Sequence, residues 1–182
     1  MRITSYILIL LLCFSTTVYS NDIKISEESN SVKVIDKSSI KFKLITRVNK
    51  ISTNVIKTKF GDFVKLSIPS YTSNSIDGNP ELPSLNKLIS VPKGAKVVTK
   101  IINKIVKTVH LEDYGIELPL FPNQPSISKG DNPENIDFIF NKDSYSQNSF
   151  FQSNIVSIEL LGFMRDIELA RISVSPITYN PI

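Results

Sequence analysis

Gly61-Asp62-Phe63-Val64-Lys65-Leu66-Ser67-Ile68 is the stretch on which the fold turns. Gly61 and Asp62 supply a turn, and beyond them Val64, Leu66 and Ile68 fall on one side of an extended chain while Lys65 and Ser67 fall on the other. A period of two built from stiff or aromatic side chains is the signature of a half-buried strand. The same grammar recurs upstream, where Ile40, Phe42 and Leu44 alternate with Lys41, Lys43 and Ile45. Downstream, Leu88–Val91, Ile136–Phe140, Ile155–Leu160 and Leu169–Val174 have the length and character of strands. Turn residues separate them: Pro69 to Pro83 reads as a long surface loop, and Glu112 to Glu134, with four prolines and two glycines, as a long exposed one. Many short strands divided by turns predict an all-β chain, an antiparallel β-sandwich.

One stretch obeys two rules at once. Val97, Val98, Ile101, Ile102, Ile105, Val106 and Val109 recur every four residues and would line a helix face. Nearly all of them are β-branched, however, and the elements around them are strands, so a long strand over 97–111 is expected. The chain stops at Tyr179-Asn180-Pro181-Ile182, just after a turn signal, so the sandwich is expected to lack its last strand.

The N-terminus reads as an export signal over residues 1–20: a basic start at Arg2, an apolar run from Ile7 to Phe14, and small residues before Asn21. Its run is too short to span a bilayer core of roughly 30 Å, and no later segment is long enough, so no membrane association is expected once it is removed. Residues 21–31, polar and acidic through Glu27-Glu28-Ser29-Asn30, read as a flexible lead-in, with the folded domain at 32–182. The expected destination is periplasmic or extracellular.

Composition removes most chemistry. Cys13 is the only cysteine and lies in the signal, so the mature chain holds neither a disulfide nor a thiol nucleophile. His110 is the only histidine, which leaves no metal site of ordinary type and no base for a serine nucleophile with an identified partner. With six glycines and no glycine-rich phosphate loop, no nucleotide or other cofactor is implied. The net charge of +4, from 21 Lys and Arg against 17 Asp and Glu, falls to +3 without Arg2. The basic residues are spread along the sequence, which argues against a nucleic-acid surface. Glu112-Asp113 reads as solvated charge, and Tyr145, Phe150 and Phe151 as packing aromatics. No catalytic residue is assigned.

Three stretches in register resemble the N-terminal propeptide of gingipain-type cysteine peptidases. They are Lys65 to Thr72 running on to Gly78-Asn79-Pro80-Glu81-Leu82-Pro83, then Ser144 to Asn148 with Phe150-Phe151, and Pro176 to Pro181. Tyr71, Asn79, Pro80, Tyr145, Asn148, Tyr179, Asn180 and Pro181 carry the resemblance, which covers 32–182. It implies a β-sandwich that covers the active-site cleft of a catalytic domain, in cis or in trans, and sets a basic loop residue in the specificity pocket. Lys129, between Ser128 and Gly130, falls where that residue belongs. The resemblance further implies a non-enzymatic aid to folding of the peptidase, present here as a fragment or a standalone inhibitor. The competing reading is an exported β-module that binds a glycan or a surface protein through its aromatics.

Overall fold

The computed structural model describes residues 22–73, 75–132, 136–151 and 154–182, so the expected signal, with Cys13, lies outside the described residues. Among the described residues nine strands form three antiparallel sheets. β1 (Asp22–Lys24), β4 (Lys50–Thr58) and β5 (Gly61–Ser67) make one, in the order β1-β4-β5. β2 (Ser31–Ile35) and β3 (Lys43–Arg47) form a two-stranded ribbon. β6 (Thr72–Ser73), β7 (Pro83–Val91), β8 (Val156–Met164) and β9 (Ile167–Val174) make the third, in the order β6-β7-β9-β8. The helices among the described residues are a 3-10 turn at Leu111–Tyr114 and one turn of α-helix, α1, at Lys142–Tyr145. The architecture is all-β and antiparallel, as the period-two pattern predicts.

The deciding stretch is β5, and its alternation is the reason it has a face. Val64, Leu66 and Ile68 are buried with Ile23, Ile51, Leu82, Ile116 and Leu120 in the larger core, while Lys65 reaches outward to an ion pair with Glu81 at 2.9 Å. A smaller core joins Leu85 on β7 to Ile172 and Val174 on β9, covered by Val32 and Leu44 of the ribbon and by Phe42 just before β3. Each fully buried Leu or Ile adds about 1.5–3 kcal/mol relative to exposure, so Leu82, Leu85 and Leu120, all at 0% exposure, anchor the fold. Tyr71 packs against both cores and joins them. Between Leu160 and Gly162 the β8–β9 register slips by one, a bulge that Gly162 accommodates at φ +101°.

Four expectations are corrected. The lead-in 21–31 contains β1: Ile23 is 1% exposed, Ile25 N–H donates to Asn49 C=O, and the Asn30 side chain accepts from Asn49 and Lys50 N–H and donates to Lys50 C=O. Two apolar residues among nine polar ones suffice because β4 offers a complementary edge. Residues 97–110 form neither the long strand expected over 97–111 nor a helix; the chain is irregular until the 3-10 turn begins at Leu111, with Ile105 91% exposed and Val98 78% exposed. Ile136–Phe140 is no strand either, being held by side-chain rather than ladder bonds. Finally, neither proline-rich loop lies wholly on the surface. Pro80 and Pro122 are fully buried and bridge each other, and Phe121 N–H donates to Val64 C=O while Val64 N–H donates to Pro119 C=O.

Candidate functional site

The loop holding Lys129 leaves the core at Leu120 and returns at α1. Its tip is Ser128-Lys129-Gly130-Asp131, a four-residue turn closed by Asp131 N–H donating to Ser128 C=O at 3.1 Å and by Ser128 N–H donating to the Asp131 carboxylate at 3.2 Å. An acidic side chain that accepts from the first amide of its own turn is a common local brace. Lys129 is exposed, and among the described residues no carboxylate lies within ion-pair distance of its Nζ. Gly130 has open space where a Cβ would point, so its size is not demanded by the fold.

Beneath the tip the two stems are clamped together. Gln124 Nε2 donates to Ile139 C=O at 2.8 Å, and Ile139 N–H donates back to Gln124 Oε1 at 3.0 Å. This reciprocal pair mimics one rung of a ladder between chains that are not strands. Below it, Gly78 N–H donates to Asn123 C=O, Asn123 N–H to Asn79 C=O, and Asn141 N–H to Gly78 C=O. Asn79 Oδ1 accepts from Asn141 Nδ2 at 3.0 Å and from Ser144 Oγ at 2.6 Å. The Asn-Pro corner is thus a rivet between the first and second of the three sequence stretches.

Aromatic rings brace the outer face. Phe138 stacks on Phe60 with centroids 4.8 Å apart, and Phe63 packs against Phe121, Phe138 and Phe140 at about 6 Å. Phe140 leans on Tyr145 at 4.6 Å, and the Tyr145 hydroxyl donates to Leu120 C=O at 2.7 Å. Burial first, then the neighbouring Tyr179 and Glu81, push the Tyr145 hydroxyl pKa far above its ordinary value. Burial likewise raises Tyr71 and Tyr179. The third stretch docks here as well: Phe151 N–H donates to Tyr179 C=O at 2.8 Å, and Asn180 Nδ2 donates to Asn148 Oδ1 at 2.7 Å. Pro181 follows, half-buried.

Of the motif residues, Asn79, Pro80 and Tyr145 bind the loop stem, whereas Asn148, Tyr179 and Asn180 join the second sequence stretch to the third; Tyr71 sits between the cores, its hydroxyl buried without a hydrogen-bond partner among the described residues. Sequence reasoning missed Asn123, Gln124 and Asn141, and quoted Ser144 only as the start of a stretch, without its bond to Asn79. Polar residues in loops carry no periodicity, and only their pairing across 15 to 65 positions reveals them. Chemically, the arrangement presents a single ammonium on a braced turn. It can insert into an anionic, narrow pocket with little loss of loop freedom on binding.

Residues 22–182 match the Propeptide_C25 family model. Lys-gingipain from Porphyromonas gingivalis is 31% identical over 163 residues, covering 90% of this chain and 9% of the relative's length. Gingipain R1 from the same species is 26% identical over 118 residues, 63% of this chain and 11% of the relative. The structure solved for zymogenic latency of gingipain K superposes with a TM-score of 0.82 at 31% identity, covering 90% of this chain and 89% of that one. A complex of RgpB pro- and mature domains gives 0.66 at 20% identity, covering 83% and 75%, which supports the fold. The likeness falls on the propeptide and not on a catalytic domain. A family model that matches 161 residues, 22–182, and a relative 31% identical over 90% of the chain settle the family: the chain belongs to the Propeptide_C25 family and is a gingipain propeptide domain.

Proposed function

We propose that this domain keeps a gingipain-like cysteine endopeptidase latent by seating Lys129 in its specificity pocket, and that it assists the folding of that peptidase after export. The observation that carries this reading is the braced turn, with Lys129 exposed at its tip and a stem riveted by Asn79, Gln124 and Tyr145. The names of the relatives agree with it: one concerns zymogenic latency, another a complex of pro- and mature domains. A lysine reaching into an acidic pocket gains charge-assisted bonds at the head while its methylenes bury against the walls.

The test adds the purified protein to the catalytic domain of a Lys-gingipain and follows cleavage after lysine. Slow, tight inhibition is expected, and Lys129→Ala is expected to weaken it by about 30-fold or more, the loss of a hot-spot anchor. Full inhibition by the alanine variant removes Lys129 from the mechanism, and no inhibition by the parent protein removes the reading. The aromatics of the competing glycan-binding reading are only partly free: Tyr145 and Phe151 pack inward, and Phe150 is 61% exposed.

A further inference from the structure

A groove of about 2220 Å³ lies apart from the Lys129 turn, none of whose residues Ser128 to Asp131 lines it. One wall is β3: every residue from Phe42 to Asn49 lines it, whereas of β2 only Val34 does. The ladder of β3 runs to β2 alone, and among the described residues no other backbone bond reaches residues 43–47, so the second edge of β3 faces the groove with its N–H and C=O groups unpaired. The opposite wall is the irregular arm, 95–110, which among the described residues has no backbone hydrogen bond between 96 and 109. The floor reaches both cores, through Ile23, Ile51, Ile116, Ile172 and Val174. An open strand edge above an apolar floor is the geometry of strand addition.

The rim is strongly cationic. Nine Lys or Arg residues line the groove against three Glu, and among the described residues only Arg47 of the nine has an ion-pair partner, Glu28. From Leu82 to Leu111 the sequence carries six lysines and no acidic residue. The fold therefore gathers charge that looks scattered along the sequence. A concave channel admits an extended chain but not a flat bilayer, and its charge selects carboxylates.

We infer that this groove accepts an extended acidic segment of a partner, alternating apolar and carboxylate side chains, as a strand added along the free edge of β3. None of Ser128, Lys129 and Gly130 lines the groove, so the inference can fail with peptidase inhibition intact, and the reverse. The probe is a peptide of about nine residues alternating Glu and Val, and the readout is amide hydrogen exchange of the whole protein. Amides of 43–47 and 96–109 are expected to slow by about tenfold or more with the Glu peptide and not with a Lys–Val counterpart. The triple variant Lys96→Glu, Lys100→Glu, Lys104→Glu, all at exposed positions, is expected to reverse that preference at an unchanged melting temperature. Methylating alternate peptide amides is expected to abolish protection. The inference is overturned if neither peptide protects, if both protect alike, or if N-methylation changes nothing. It is equally overturned if phosphatidylglycerol vesicles protect the arm in place of the peptide, or if protection follows protein concentration without peptide, which would make the occupant a second copy.

Discussion

At Gly78 the backbone takes φ +83°, and a Cβ there would meet Ile139 Cγ2 at 2.9 Å and Asn141 N at 3.2 Å. Both are loop-stem atoms, one of them backbone, so relief must come from moving the stem. Gly78→Ala is expected to cost about 1–3 kcal/mol in urea unfolding and to weaken peptidase inhibition with it. Tyr145→Phe removes the donor to Leu120 C=O from a half-buried site and should cost about 1–2 kcal/mol. The same residue gives a pH signature. Because its folded pKa is raised above the unfolded value of about 10, the unfolded chain loses its proton first; the stabilisation is complete below pH 10 and drains away as pH rises beyond it. Melting temperatures taken through the alkaline range should fall less steeply for Tyr145→Phe than for the parent, and equal slopes would refute that assignment. Asp131→Ala should loosen the tip alone, weakening inhibition several-fold at constant melting temperature.

Among elements, β5, β8 and β9 were legible because each has a period-two face, and the alternation survives in the burial of Val64, Leu66 and Ile68. β1 was not, since a strand of three residues contributes one buried side chain, Ile23, and the rest of its order comes from a partner 28 positions away. The arm misled for the opposite reason. Its β-branched residues favour extension, but a strand exists only when a neighbour completes its ladder, and among the described residues none does. Lys129 was singled out through resemblance alone, whereas the clamp beneath its turn is written in Asn123, Gln124 and Asn141, whose pairing is visible only in three dimensions. The arm also yields an element-scale expectation: brief trypsin treatment should cut among Lys96, Lys100, Lys104 and Lys107 before any strand, as read by mass spectrometry of the first fragments. First cuts inside β5 or β9 would contradict the open arm.

For the whole molecule, stability and presentation of the loop meet at one residue. Leu120 is fully buried in the larger core, while its carbonyl accepts the Tyr145 hydroxyl and its neighbours ladder to Val64. Leu120→Ala is expected to lose about 2–5 kcal/mol of global stability, measured by chemical denaturation, and to lose inhibition in parallel. Retained inhibition at that cost would show that the loop is organised independently of the core.

The seven-rung pairing of β7 with β9 joins segments on opposite sides of Lys129 in the chain. If a peptidase hydrolysed the bond after Lys129, the two pieces would stay married through that ladder and through the Asn79–Asn141 rivet. The new termini would be held near one another, favouring resealing over departure, and the nick would show on a denaturing gel yet leave the elution volume of the native species unchanged. On the proposed inhibitory role, escape of the enzyme would then wait on a second scission elsewhere, and the sheet, rather than the susceptible bond, would be the timer of release.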